Sequence, residues 1–80
     1  MTMEMNKDKA TTFFKFNLPV HIITKKEEWL NGYMLEVNQT YLVVLDRVEK
    51  KGKPVFYTDI KEIEEFKGDY STLVKEEVKQ

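Results

Sequence analysis

A small, strongly bent β-barrel of about five strands is the fold class this sequence predicts, mainly β and suited to assembly with copies of itself. Three observations predict it. Between residues 20 and 66, short runs of β-branched and aromatic residues alternate with charged or glycine-containing turns. The chain has 80 residues, room for one domain whose thin core covers only about 60% of the surface an unfolded chain exposes. It also has no cysteine and a single histidine, His21, so disulfides, thiolate metal sites and a metal held by that histidine alone are excluded as staples. Contacts between subunits are the staple that remains.

The chain divides into an arm (1–12), a barrel domain (13–66) and a tail (67–80). Residues 1–10 are polar, have little to bury, and read as frayed or weakly helical. Thr11-Thr12-Phe13-Phe14-Lys15-Phe16 fits a short strand or the end of a helix packed across a barrel mouth, and periodicity does not separate the two. Val20-His21-Ile22-Ile23-Thr24 is a β-branched strand with Pro19 at its start, where a missing N–H does least harm. Lys25-Lys26-Glu27-Glu28 is a charged turn. Residues 29–38 alternate as one long strand, with Trp29, Tyr33, Leu35 and Val37 largely on one face and Leu30, Gly32, Met34 and Glu36 on the other. Gly32 in mid-strand predicts a sharp bend of the backbone or a close approach to another chain.

Asn38-Gln39-Thr40 is a turn, since Asn tolerates left-handed backbone and bonds its neighbours. Residues 41–48 form a nearly unbroken apolar strand, covered on both faces. Glu49-Lys50-Lys51-Gly52-Lys53 reads as a charged hairpin with glycine at its tip. Residues 54–58 make a fourth strand started by Pro54, and Asp59 turns the chain into a fifth that ends near Phe66. Gly68 and Asp69 break the pattern; 70–79 then reads as a short helix capped by Asp69, with Leu73, Val74 and Val78 on one side.

The formal net charge is −1, so no overall basic footprint marks the chain. The charge is nonetheless in blocks: residues 1–26 carry +3, 27–46 carry −4, 47–58 carry +3 and 59–80 carry −3. Such blocks are either solvated loops or opposite potentials on the two faces of an assembly. No run is long and apolar enough for a membrane helix, and residues 1–10 lack the apolar stretch of a secretory signal. The expected location is cytoplasmic.

Between 20 and 63 the order of features resembles the Sm-like family, which includes the bacterial host factor Hfq and the Sm proteins of eukaryotes and archaea. The first motif of that family corresponds to Val20-His21-Ile22-Ile23 followed by Asn31-Gly32-Tyr33-Met34-Leu35-Glu36-Val37-Asn38-Gln39-Thr40-Tyr41-Leu42-Val43-Val44-Leu45. The second corresponds to Val55-Phe56-Tyr57-Thr58-Asp59-Ile60-Lys61-Glu62-Ile63. The resemblance implies a five-stranded bent sheet with an N-terminal helix, in which the fourth strand of one subunit pairs with the fifth of the next to close a ring. It further implies single-stranded RNA at the pore, contacted by Asn38, Gln39 and Thr40 from the first motif and by Tyr57 and Thr58 from the second. Asn38 stands where Sm proteins usually have aspartate, Gln39 matches an amide of Hfq proteins, and Thr40 holds a position whose side chain often stacks on a base.

Two positions depart from the family. Leu42 replaces a base-reading asparagine, and Tyr57 replaces the cation of the second motif. Tyr57 offers instead an aromatic platform for a base. Trp29 and Tyr33 read as core or interface aromatics, His21 as a strand residue at the surface or an interface, and Lys50-Lys51-Gly52-Lys53 as a solvated tip or a phosphate-touching rim. Glu62, Glu64 and Glu65 look like a solvated edge, and no nucleophile–base pair assembles, so the chain reads as no enzyme and implies no cofactor or metal. The competing functions are an RNA-binding ring, a ring that binds other proteins, and a monomeric SH3-like adaptor gripping a peptide through Trp29 and Tyr33.

Overall fold

The computed structural model describes residues 3–68. Helix α1 (Met3–Lys15) comes first and presents a narrow buried stripe of Asn6, Ala10 and the partly buried Phe13, spaced one helical turn apart. The helical reading of Thr11–Lys15 is therefore the one the chain adopts, with Phe16 just beyond. The helix ends on Asn17 in the left-handed region (φ 56°). Asn17 N–H donates to Phe14 O at 3.0 Å and Leu18 N–H to Phe13 O at 2.9 Å, the paired bonds of a Schellman cap.

Six strands follow among the described residues: β1 (Val20–Thr24), β2 (Trp29–Gly32), β3 (Met34–Val37), β4 (Tyr41–Asp46), β5 (Lys51–Phe56) and β6 (Ile60–Glu65). A single 3-10 turn, Tyr57–Asp59, joins the last two. The strands form two antiparallel three-stranded sheets, ordered β2-β1-β6 and β3-β4-β5. The architecture is mainly β with an N-terminal helix, as expected, but the five strands and the closed barrel are corrected. Residues 29–38 are two strands, broken at Tyr33, where the chain passes from one sheet to the other. Closure fails because β5 and β6 are both edges and do not pair with each other. A cleft of about 200 Å³ lies beside β5, between Thr24–Lys26 and Lys53–Phe56.

The break has a steric cause. A Cβ built on Gly32 would lie 1.9 Å from Leu45 O, so the backbones of β2 and β4 touch where any side chain would stand. On either side of that contact, Leu45 N–H donates to Tyr33 O (2.8 Å) and Arg47 N–H to Asn31 O (2.9 Å), stitching the two sheets together. The close approach that Gly32 predicted is made within the chain.

Register decides which face is inside. Ile22 lies opposite Leu30 and Ile63, and Val44 lies opposite Met34, so the core is Val20, Ile22, Leu30, Met34, Leu42, Val44, Val55, Tyr57, Ile60 and Ile63, with Ala10 from α1 above it. Trp29 points the other way and is 63% exposed, while Tyr33 at the break is buried. The core reading thus holds for Tyr33 and not for Trp29. On the outer face, Trp29 packs edge-on against half-buried His21 at 5.2 Å, and His21 Nδ1 is hydrogen-bonded to Asn31 Oδ1.

The β1–β2 and β4–β5 hairpin turns place Glu27 (φ 66°) and Lys50 (φ 60°) in the left-handed region, so Gly52 is not the tip. It lies in β5 opposite Leu45. The turn falls earlier because buried Asp46 anchors it, its Oδ2 accepting from Glu49 N–H (2.9 Å) and its carbonyl from Lys50 N–H (2.7 Å). Lys53 and, more weakly, Lys51 hold the exposed Glu49 carboxyl below its ordinary range. Pro54 sits inside β5 rather than at its start, which an edge strand tolerates. No helix among the described residues is long and apolar enough to cross a membrane. The helix read over 70–79 lies outside the described residues.

The Gly32–Leu45 contact makes a direct prediction. Gly32→Ala forces the sheets apart and costs roughly 2–3 kcal/mol, which for a domain this small lowers the thermal midpoint by about 10 °C or more. Circular dichroism melts check it; a variant that melts with the wild type would mean that the two backbones do not meet there.

Candidate nucleic-acid interface

Three elements converge beside the N-terminal half of α1: the β3–β4 turn, the 3-10 turn and the helix itself. In the first, Asn38 N–H donates to Tyr41 O at 2.8 Å, and Asn38 Nδ2 donates to Glu36 Oε1 at 3.1 Å. Those bonds occupy Asn38 locally and leave Gln39 and Thr40 facing solvent. In the second, Tyr57 N–H donates to Thr40 O at 3.1 Å and its hydroxyl donates to Asn38 O at 2.7 Å. One residue therefore clamps both ends of the opposite turn, and Thr58 next to it is exposed.

All five residues read from the sequence, Asn38, Gln39, Thr40, Tyr57 and Thr58, come together here. Their exposure differs from the expectation at one point. Tyr57 has 0% of its surface exposed and is among the largest fully buried side chains of the core. Its ring is a wedge under the site, so the stacking platform expected of it is not presented. Alternation along β5 explains this: Val55 and Tyr57, two apart, point inward, and Phe56 between them points out. Leu42 is likewise in the core, with no exposed surface to meet a base.

Helix α1 adds two residues that the sequence reading missed. Asn6, 1% exposed, donates from Nδ2 to Tyr57 O (3.0 Å) and Ile60 O (3.3 Å), tying the helix to the 3-10 turn. Lys7 Nζ donates to Gln39 Oε1 at 2.9 Å. Two residues farther along, Lys9 pairs with Glu64 of β6. The signal that could have found Asn6 is its place at the head of the Asn6–Ala10–Phe13 stripe, where a polar residue on a buried face requires backbone partners. Among the described residues, no three of His, Cys, Asp and Glu stand together as metal ligands. The surface offers amides, hydroxyls and one ammonium group, a set of hydrogen-bond donors and acceptors carrying a single positive charge.

Burial pushes the Tyr57 phenol above its ordinary value of about 10. The folded state thus favours the neutral phenol, and the stability this group contributes is complete below pH 10 and lost as pH rises through the raised folded value. Tyr57→Phe should cost about 1 kcal/mol near neutrality by leaving Asn38 O unpaired. The stability gap between wild type and variant should then narrow above pH 10. Urea denaturation at pH 7 and pH 10.5 measures both; a gap that is constant with pH would show that the phenol is not held neutral by the fold.

No protein-family model matches the sequence, and no curated protein matches it. Among solved structures, the crystal structure of an Hfq protein from Anabaena sp. is similar, with a TM-score of 0.60 and 17% sequence identity over 74% of this chain and 92% of that one. At that identity the likeness concerns architecture: this chain has the bent, helix-capped Sm-like fold of an Hfq protein.

Proposed function

We propose that the chain assembles head to tail into a ring and binds single-stranded RNA at the surface where α1, the β3–β4 turn and the 3-10 turn meet. The observation that carries the reading is that convergence: Gln39, Thr40 and Thr58 lie exposed on turns held together by Tyr57, with Lys7 beside them. The Sm-like fold supports it, because the same turns sit at the pore in the family the sequence resembles.

Assembly is supported by the edges. β5 and β6 are each an edge strand, one in each sheet, and unpaired edges recruit other strands unless they are covered. Beside the β5 edge lies an apolar patch in which Tyr41 meets the exposed Phe56 edge-on, ring centroids 5.9 Å apart. Pairing β5 of one copy with β6 of the next is a heterologous contact, and repetition closes it into a ring. This reading places the protein in the cytoplasm as a binding protein rather than an enzyme.

A second reading, a ring that binds other proteins, is favoured by one observation: the second-motif cation is replaced by a buried tyrosine. Native mass together with the 260/280 nm absorbance ratio separates the two. A ring carrying nucleic acid, whose affinity for short U-rich or A-rich RNA falls steeply with salt, is the expected outcome. A ring that binds neither RNA at low salt leaves the protein-binding reading, and a monomer at micromolar concentration removes both.

A further inference from the structure

We propose that Lys7 supplies, from helix α1, the phosphate-neutralising charge that the two turns of this interface lack; the inference rests on the RNA-binding reading. The turn residues Asn38, Gln39, Thr40, Tyr57 and Thr58 are all uncharged, and Asp59 beside them is an acid. Phosphate contacts govern the affinity of most nucleic-acid binders, so neutral amides and hydroxyls alone would hold a polyanion weakly. A cation must come from another element, and α1 is the element that reaches the site.

Lys7 differs from the other lysines that make polar side-chain contacts. Lys9 faces Glu64, Lys51 and Lys53 face Glu49, Lys61 faces Glu27 and Lys67 faces Glu65, so each spends its charge on a carboxylate. Lys7 makes no such ion pair among the described residues. Its ammonium is instead bonded at 2.9 Å to the neutral Oε1 of Gln39, which leaves the charge uncancelled and further N–H donors for phosphate oxygens. The bond engages the carbonyl end of Gln39, which leaves the Nε2 donors of its amide for acceptors on a base.

Placement is not left to a loose arm. Asn6, the preceding residue, is buried and donates to the carbonyls of Tyr57 and Ile60, which fixes the helix turn that carries Lys7 over the site. In a ring, one Lys7 per copy makes a circle of positive charge around the bound strand. That arrangement accounts for function in a chain whose net charge is −1, because the charge is concentrated at one place.

The test compares full-length wild type with Lys7→Gln, Lys7→Arg and Lys50→Gln, reading anisotropy of labelled six-nucleotide U and A RNAs across a sodium chloride series. Lys50 is an exposed lysine in the turn at the other end of β4, so its variant removes the same charge away from the site. Lys7→Gln is expected to weaken binding on the order of tenfold at low salt and to flatten the salt slope by about 0.7 for each phosphate that is no longer neutralised. Lys7→Arg should keep most of the affinity and Lys50→Gln should match wild type. Native mass and circular dichroism confirm that each variant is assembled and folded. Wild-type binding with an unchanged affinity and slope in Lys7→Gln, or an equal loss in Lys50→Gln, overturns the role of Lys7 and leaves the RNA reading intact. Absence of wild-type binding at the lowest salt removes that reading and this inference with it.

Discussion

Two backbones touch at Gly32 and Leu45 O, and most of the architecture follows from that contact. Because β2 runs against β4 with no side chain between them, a strand begun at Trp29 cannot continue straight and passes at Tyr33 into the second sheet. The bend brings the inner faces of both sheets together over one core, which a flat sheet of this length could not do. With so few residues, nearly every inward position of β1, β4 and β6 must be apolar, and Val20, Ile22, Leu42, Val44, Ile60 and Ile63 are. Helix α1 then covers the core with only Ala10 and Phe13, and Asn6 satisfies two strand-end carbonyls that the helix would otherwise seal from water.

Much of this was legible in the residues and some was not, for identifiable reasons. β1 read correctly because Pro19 and five residues rich in β-branched side chains leave little alternative. The Asn38–Thr40 turn and the bend at Gly32 read correctly because each has a local mechanism, but the close approach expected to another chain is made to Leu45 of the same chain. The inward face of residues 29–37 did not, because alternation defines two sets without saying which is buried. Pairing with Ile22 and Val44, a long-range fact, selected Leu30 and Met34. Gly52 drew the predicted tip two residues too far along, because the buried carboxylate of Asp46 sets the turn and a buried aspartate is rare enough to overlook. The five candidate site residues, named from the family resemblance, lie next to one another in the structure. Of the two helix residues, Asn6 carried a signal in its stripe with Ala10 and Phe13, whereas nothing local tells Lys7 from a lysine that faces only water.

Tyr57, which stands where the family the sequence resembles has a cation, is better understood as doing a different job at that position than as marking a loss. A lysine there would have to keep its charge in solvent, whereas a tyrosine can fill the core and still hydrogen-bond through its rim-facing hydroxyl. Tyr57 does both, packing with Val55 and Ile60 below and holding the carbonyl of Asn38 and, by its own N–H, that of Thr40 above. The turn presenting Gln39 and Thr40 is thus rigidified from beneath. For the proposed binding of a flexible strand, a preorganised turn would lose less conformational entropy, which would offset part of the missing electrostatic attraction.

The same residue bears on assembly. β5 could have returned as a hairpin, in which case β6 would have paired with it and hidden both edges. Instead Tyr57 begins a 3-10 turn whose carbonyl is held by Asn6 and whose N–H is held by Thr40. That turn sends β6 across to β1, where Ile63 meets Ile22 and Lys25 N–H reaches Asp59 O at 2.8 Å. Both edges stay open as a consequence, one in each sheet. The clamp that shapes the Asn38–Thr40 turn is therefore also the device that leaves a β5 edge and a β6 edge open, so the candidate binding surface and the edges that the proposed ring would pair depend on a single buried side chain.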